Sequence, residues 1–322
     1  MLRFILRRLA ASFLLLYLVL TAVFFLVHLA PGTPEAFLLN DQRLPPAQQE
    51  ILKEHYGLNR PLLVQYALWM ASTLRGDWGT SFSYQRPVTG VIGDVLPATC
   101  LLAAAGLLVE QALGLILGIA AARRPGSTAD HLIRIVSLVL YSQPIFWFGL
   151  MAILLFSLVW PVLPPGHLRS IGAEDLGPVA RVLDVLRHLI LPGLVLGLST
   201  CGEVARFVRA SLLDVLGQEH IRASRAKGLT ERRVVWVHAL RNVLAPLLQI
   251  FAVSLSALLG GVVVVEVVFS WPGLGRLTFD AVFSRDYPLI LGTTAFAAVA
   301  ILAANLLADV LHAVADPRVR DE

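Results

Sequence analysis

The sequence predicts an all-α, polytopic membrane protein with six transmembrane helices, and three observations carry that prediction. Apolar residues make up 57% of the 322 residues and charged residues only 15%, against roughly 25% charged in an ordinary soluble domain. The apolar residues arrive in blocks of about 20, the length an α-helix needs to cross a hydrocarbon core of ~30 Å. Lys and Arg concentrate in alternate connections, which is the pattern that fixes the orientation of such a bundle.

The first block, residues 9–29, follows Arg3, Arg7 and Arg8. A cleaved signal peptide also starts basic, but this apolar run is long and no A-x-A site follows it. Residues 30–97 are too many for a simple turn. Helix-like stretches at 46–55 and 62–74, separated by turn signals at Gly57, Pro61 and Gly76, predict a small ordered cap on the extracytoplasmic face. The second block, 98–122, carries Glu110 midway along it, and the third, 135–160, is interrupted by Ser142, Gln143 and Pro144. The fourth, 188–202, is the weakest: Pro192 lies inside it, and Glu203, Arg206 and Arg209 follow its core. Counting it gives six spans, since proline is tolerated in membrane helices packed on neighbours; omitting it leaves five, with opposed termini. Blocks at 243–265 and 288–308 complete the set, with Asp309 and His312 expected at the cytoplasmic interface.

With six spans, Arg123, Arg124 and Arg134, the cluster from Arg206 to Arg241, and Arg318 and Arg320 all fall on one side, so both termini are expected to be cytoplasmic. That anchoring accounts for the net charge of +4 without a nucleic-acid partner. Cys100 and Cys201 have no ligand spacing and read as small packing residues, and no metal site is expected. No internal repeat is visible, so residues 1–322 read as one membrane domain.

The most informative stretch is the cytoplasmic segment 206–241. It reads as helix to about Leu216, a break at Gly217, a short helix over 219–227, a turn at Gly228 and Leu229, and a further helix from Glu231. On the short helix Ile221 and Ser224 share a face, with Arg222, Arg225 and Lys227 around it. A short helix ending at glycine suits a knob on a partner protein; the alternative is that the basic residues serve only as topology anchors.

The run Gln218-Glu219-His220-Ile221-Arg222-Ala223-Ser224-Arg225-Ala226-Lys227-Gly228-Leu229, followed by His238-Ala239-Leu240-Arg241-Asn242 and Pro246, resembles the cytoplasmic EAA loop of ABC importer permeases of the dipeptide/oligopeptide family. Relative to the general importer motif, Arg222 stands at the glutamate position and Ser224 at the second alanine, departures that look like the peptide family's own variant. Leu29-Ala30-Pro31-Gly32, Tyr56-Gly57-Leu58-Asn59-Arg60-Pro61, Gln65-Tyr66, Gly76-Asp77-Trp78-Gly79 and Pro87-Val88 are similar to the same family, as are the segment from Glu266 to Leu277 and Arg285-Asp286-Tyr287-Pro288.

The resemblance implies a type I ABC importer permease fold in a bacterial inner membrane. It also implies a second homologous permease, two ATP-binding subunits that hold ATP and Mg, and an extracytoplasmic binding protein delivering di- or oligopeptides. Nickel chelates and glutathione-like solutes are the alternatives. It assigns ATPase coupling to Glu219, Ile221, Arg222, Ala223, Ser224, Arg225, Lys227, Gly228 and Leu229. Consistently, the sequence holds no GxxxxGK[ST] phosphate loop, and none of the G-x-S-x-G or H-E-x-x-H patterns of hydrolases. A secondary transporter or channel would work without an ATPase and would usually carry inverted repeats.

Ionisable groups inside apolar spans are functional candidates by default. Glu110 is expected either to line a translocation path or to bond a neighbouring helix. Glu203 either lines the path or pairs with Arg206 one turn on, and Ser142 and Gln143 either contact substrate or only accompany a proline kink. The turn at Trp271, Pro272 and Gly273 reads as an extracytoplasmic gate or, equally, as an interfacial tryptophan anchor.

Overall fold

The structure is a computed structural model that describes residues 2–29, 59–230, 233–240 and 262–315, together with residues 243, 247, 250, 251 and 254. The expected helix at 46–55 and most of the fifth apolar block lie outside the described residues. Within them the chain is helical, with one isolated bridge between Thr80 and Pro87 in place of any strand.

Nine α-helices are described: α1 (Leu2–Leu29), α2 (Leu62–Leu74), α3 (Val88–Arg123), α4 (Thr128–Ser142), α5 (Ile145–Ile153), α6 (Pro178–Leu216), α7 (Glu219–Ala226), α8 (Leu274–Phe283) and α9 (Tyr287–Ala315). Four of them, over Leu6–Leu29, Val88–Arg123, Pro178–Leu216 and Tyr287–Leu307, are long and apolar enough to cross a membrane. At 1.5 Å per residue, α3 and α6 are each about 55 Å long, well beyond a ~30 Å hydrocarbon core, so both project into water. Large apolar side chains such as Phe13, Leu18, Leu26, Leu108 and Leu132 point outward, a surface that suits lipid or other subunits and not water.

The third apolar block is a broken span. α4 and α5 meet at an angle of 98° because Pro144 cannot donate to the preceding turn and forces Gln143 into extended geometry, with φ −80° and ψ 134°. A six-residue π-helical stretch, Leu154–Val159, continues α5. The fourth block is one unbroken helix despite Pro192, extending past its apolar core to Leu216.

The core of the bundle is the packing of α3 on α6, helped by small residues every fourth position. A Cβ at Gly106 would lie 2.5 Å from Leu196, one at Gly114 2.5 Å from Val204, and one at Gly118 2.6 Å from Val208. Without side chains at those positions the two backbones approach closely, the usual basis of helix association in lipid. The paired numbers rise together, so α3 and α6 run parallel. The chain must therefore return across the bundle between them, and the bent α4–α5 pair makes that return. α1 runs the other way along α9: Arg8 pairs with Asp309 at 3.0 Å, while His28 faces Tyr287 with ring centroids 5.5 Å apart. Val88, Val91 and Ile92 at the start of α3 cluster with Tyr287, Leu289 and Ile290 at the start of α9, so the start of α1, the end of α3, the end of α6 and the end of α9 share one face, here called the α7 face.

Candidate functional site

On the α7 face, α6 ends at Gly217 and the chain turns into α7. Ile221 is fully buried in a cluster with Ile119 and Ala122 at the end of α3, Val208, Leu212 and Val215 of α6, and Val234, Ala239 and Val243 beyond the turn. Leu229 packs on the same cluster. Ser224 is half-buried on the Ile221 side and donates from Oγ to the His220 carbonyl at 2.9 Å. Glu219, Arg222, Ala223, Arg225 and Lys227 face outward. Gly228 ends the helix with φ +76°, a left-handed conformation that glycine adopts at little cost, and its N–H donates to the Arg225 carbonyl at 2.9 Å. The result is a short basic helix held on one apolar pin, with a polar face presented away from the bundle.

Inside the bundle, Glu110 follows Gly106 and precedes Gly114 at the same four-residue spacing, so it lies in the α3–α6 seam and is 3% exposed. Its Oε1 accepts from Ser254 Oγ at 2.7 Å, and Gln111 Nε2 donates to the same hydroxyl at 3.2 Å. The other oxygen, Oε2, has no hydrogen-bond partner among the described residues. A buried acceptor left unmade costs about 1–3 kcal/mol, so it is a position where a ligand, water or conformational change would find an interaction. Glu203 and Ser142 are exposed on the single chain and Gln143 is half-buried at the helix break. Ser142 donates to its own helix at the Leu138 carbonyl. Arg206 places its guanidinium over the Tyr141 ring, 5.2 Å from the centroid.

On the opposite face, Trp271 is fully buried, and its indole N–H donates to the Ala98 carbonyl at 2.8 Å. It is therefore a core residue of the turn and not an anchor in the interface. Glu266, also fully buried, accepts from Thr99 Oγ1 at 2.8 Å and from the Arg276 backbone N–H at 3.0 Å. Thr99 Oγ1 in turn accepts from the Leu274 N–H at 2.7 Å. These bonds satisfy the free N–H groups at the start of α8. Gly273 fits beside them, because a Cβ there would run into the Glu266 carboxylate and force it to shift. Asp286 repeats the device for α9, accepting from the Leu289 N–H at 3.2 Å while holding Ser81 Oγ at 2.5 Å and the Ser83 N–H at 2.8 Å.

Sequence reasoning did not assign roles to Glu266, Asp286 or Thr99. An aspartate directly before Tyr287-Pro288 is a legible helix cap, whereas Glu266 acts on a helix eight residues ahead and gives no local signal. The spacing of Gly106, Gly114 and Gly118 by multiples of four was readable and marks the seam in which Glu110 sits.

Residues 114–321 match the family described as binding-protein-dependent transport system inner membrane component, and residues 1–103 match the N-terminal part of such membrane components. The chain is 38% identical over 317 residues to the oligopeptide transport system permease protein AppB of Bacillus subtilis, covering 98% of each. It is 35% identical to the dipeptide transport system permease protein DppB of Escherichia coli K12, covering 99% of each. Among solved structures, the inward-facing MetNI methionine ABC transporter aligns with a TM-score of 0.56 at 16% identity, over 70% of this chain and 96% of that one, which establishes the fold. The chain belongs to the binding-protein-dependent transport system inner membrane component family and is a permease subunit of an ABC importer.

Proposed function

We propose that this chain forms half of the translocation path for di- or oligopeptides. A second homologous permease supplies the other half, an extracytoplasmic binding protein delivers the substrate, and two partner subunits hydrolyse ATP with Mg. The single observation that carries the coupling reading is α7: a basic helix whose one apolar residue, Ile221, is fully buried against the ends of α3 and α6. Such a pin transmits displacement of a docked partner into the bundle, where nucleotide-dependent states favour inward- or outward-open arrangements. Peptide is the substrate class because the relatives over the full length are named for oligopeptides and dipeptides.

The α7 face is then cytoplasmic, with both termini on it, and there are six spans. Two features support the count. α1 runs antiparallel to α9, and the chain must cross from α7 back to the Trp271 turn through the block at 243–265. Of the outer segment, the described residues 59–87 belong to the cap on the other side, and α2 leans on α1, with Tyr66 OH 2.8 Å from Thr21 Oγ1. Glu110 lines the path, and the Trp271-Pro272-Gly273 turn, held by Glu266, is its extracytoplasmic gate. The test is ATP hydrolysis by the purified complex with ligand-loaded binding protein. Stimulation by a peptide-loaded protein is expected; stimulation only by a nickel-chelate-loaded one would reassign the substrate.

A further inference from the structure

The ion pair between Asp130 and Arg209 lies on the α7 face, outside the groups discussed above. Arg209 Nε donates to Asp130 Oδ1 at 2.7 Å and its terminal nitrogen to Oδ2 at 2.8 Å, a two-pronged contact that fixes orientation as well as distance. Asp130 Oδ2 also accepts from the Gly126 N–H at 2.9 Å, and Ser127 caps α4 by accepting from the Asp130 N–H at 3.2 Å. One carboxylate therefore holds the α3–α4 turn, the first turn of α4 and the last turns of α6 together, and it is fully buried. Two more contacts run along the same α4–α6 interface: Arg206 over the Tyr141 ring, and Gly202, where a Cβ would lie 2.8 Å from the Ser137 carbonyl oxygen. α4 is thereby fixed to α6 from Asp130 to Tyr141, and the first break in that rigid path is the 98° bend after Ser142.

We propose that Asp130 and Arg209 are positioning residues for transport. Their ion pair makes α4 move with α6 when α7 is displaced, delivering the motion to the bend at Ser142, Gln143 and Pro144. The inference rests on the importer reading above and adds the route by which coupling reaches the broken span. Neither residue touches the α7 surface offered to a partner, and α3 and α6 pack on α7 without the pair, so its loss leaves docking and the α3–α6 route to α7 intact and interrupts only transmission to α4 and the bend.

The experiment uses the whole complex, copurified with its ATP-hydrolysing and permease subunits, in proteoliposomes with dialanine-loaded binding protein. Dialanine taken up per ATP hydrolysed is measured for the wild type, Asp130→Asn and Arg209→Lys. In Asp130→Asn, binding-protein-stimulated hydrolysis is expected to stay within about twofold of wild type while the ratio falls at least tenfold. Arg209→Lys, which keeps the charge but loses the fork, is expected to fall in between. A purely structural role would lower hydrolysis and uptake together, and an unchanged ratio in both variants would likewise overturn the inference. Should Asp130→Asn fail to assemble, the ratio in Arg209→Lys decides alone. A wild-type complex without stimulated hydrolysis would instead overturn the importer reading itself.

Discussion

Thr99 and Glu266, 167 residues apart in sequence, share a 2.8 Å hydrogen bond in the buried turn that starts α8. The bond joins α3 to the segment holding Trp271, whose indole reaches the neighbouring carbonyl of Ala98. Glu266→Gln keeps the shape but replaces one acceptor oxygen with a donor, facing backbone N–H groups that also donate. A stability loss of about 1–3 kcal/mol is expected, read as an earlier thermal transition of the detergent-solubilised protein. Trp271→Phe removes a neutral bond and leaves a cavity in a fully buried site, and a loss of about 2–3 kcal/mol is expected.

The α3–α6 seam makes a sharper contrast. A side chain at Gly197 would meet Val109 at 2.5 Å and the Gly106 carbonyl oxygen at 2.7 Å, whereas Gly90 and Gly93 on α3 have nothing within 4 Å of an added Cβ. Gly197→Val is expected to destabilise the protein by about 1–3 kcal/mol through overpacking, while Gly93→Ala is expected to stabilise it by up to about 1 kcal/mol. Parallel melting curves of the two variants check this.

Glu110→Gln retains an acceptor for Ser254 and places a donor where Oε2 has no partner among the described residues. Assembly of the complex is expected to be unchanged and transport rate altered, measured as peptide uptake at matched complex concentration. Wild-type uptake would remove Glu110 from the path and leave it as a bond between helices.

At Gly228, proline is incompatible with the native φ of +76° and removes the N–H that donates to Arg225. Gly228→Pro is expected to insert normally yet lose stimulation of ATP hydrolysis by the loaded binding protein. Ile221→Ala, which empties the fully buried pin, is expected to cost about 2–5 kcal/mol locally and to weaken the same stimulation. Normal coupling in both variants would mean that α7 transmits nothing.

Much of this architecture was legible because lipid imposes long apolar runs, and because Gly217 and Gly228 punctuate α7 where the sequence placed the breaks. Pro144 announced an interruption but not its size; the 98° bend depends on what α4 and α5 pack against, which lies far along the chain. Trp271 was ambiguous because an aromatic at a span end serves either lipid or core, and only its contact with Ala98 decides between them. The pairing of Asp130 with Arg209 spans 79 residues, and in the sequence Arg209 was indistinguishable from the basic residues that set topology. Glu110 stood out as a charge in an apolar block, and an oxygen with no partner among the described residues adds a reason to test it.

The most direct measurement is peptide uptake into proteoliposomes holding this chain with its partner permease and peptide-loaded binding protein, with and without ATP and the nucleotide-hydrolysing subunits. Uptake is expected only when both are present, and it should disappear when α7 carries Gly228→Pro. Equal uptake without the nucleotide-hydrolysing subunits would contradict the reading of α7 as the joint through which another polypeptide drives the bundle.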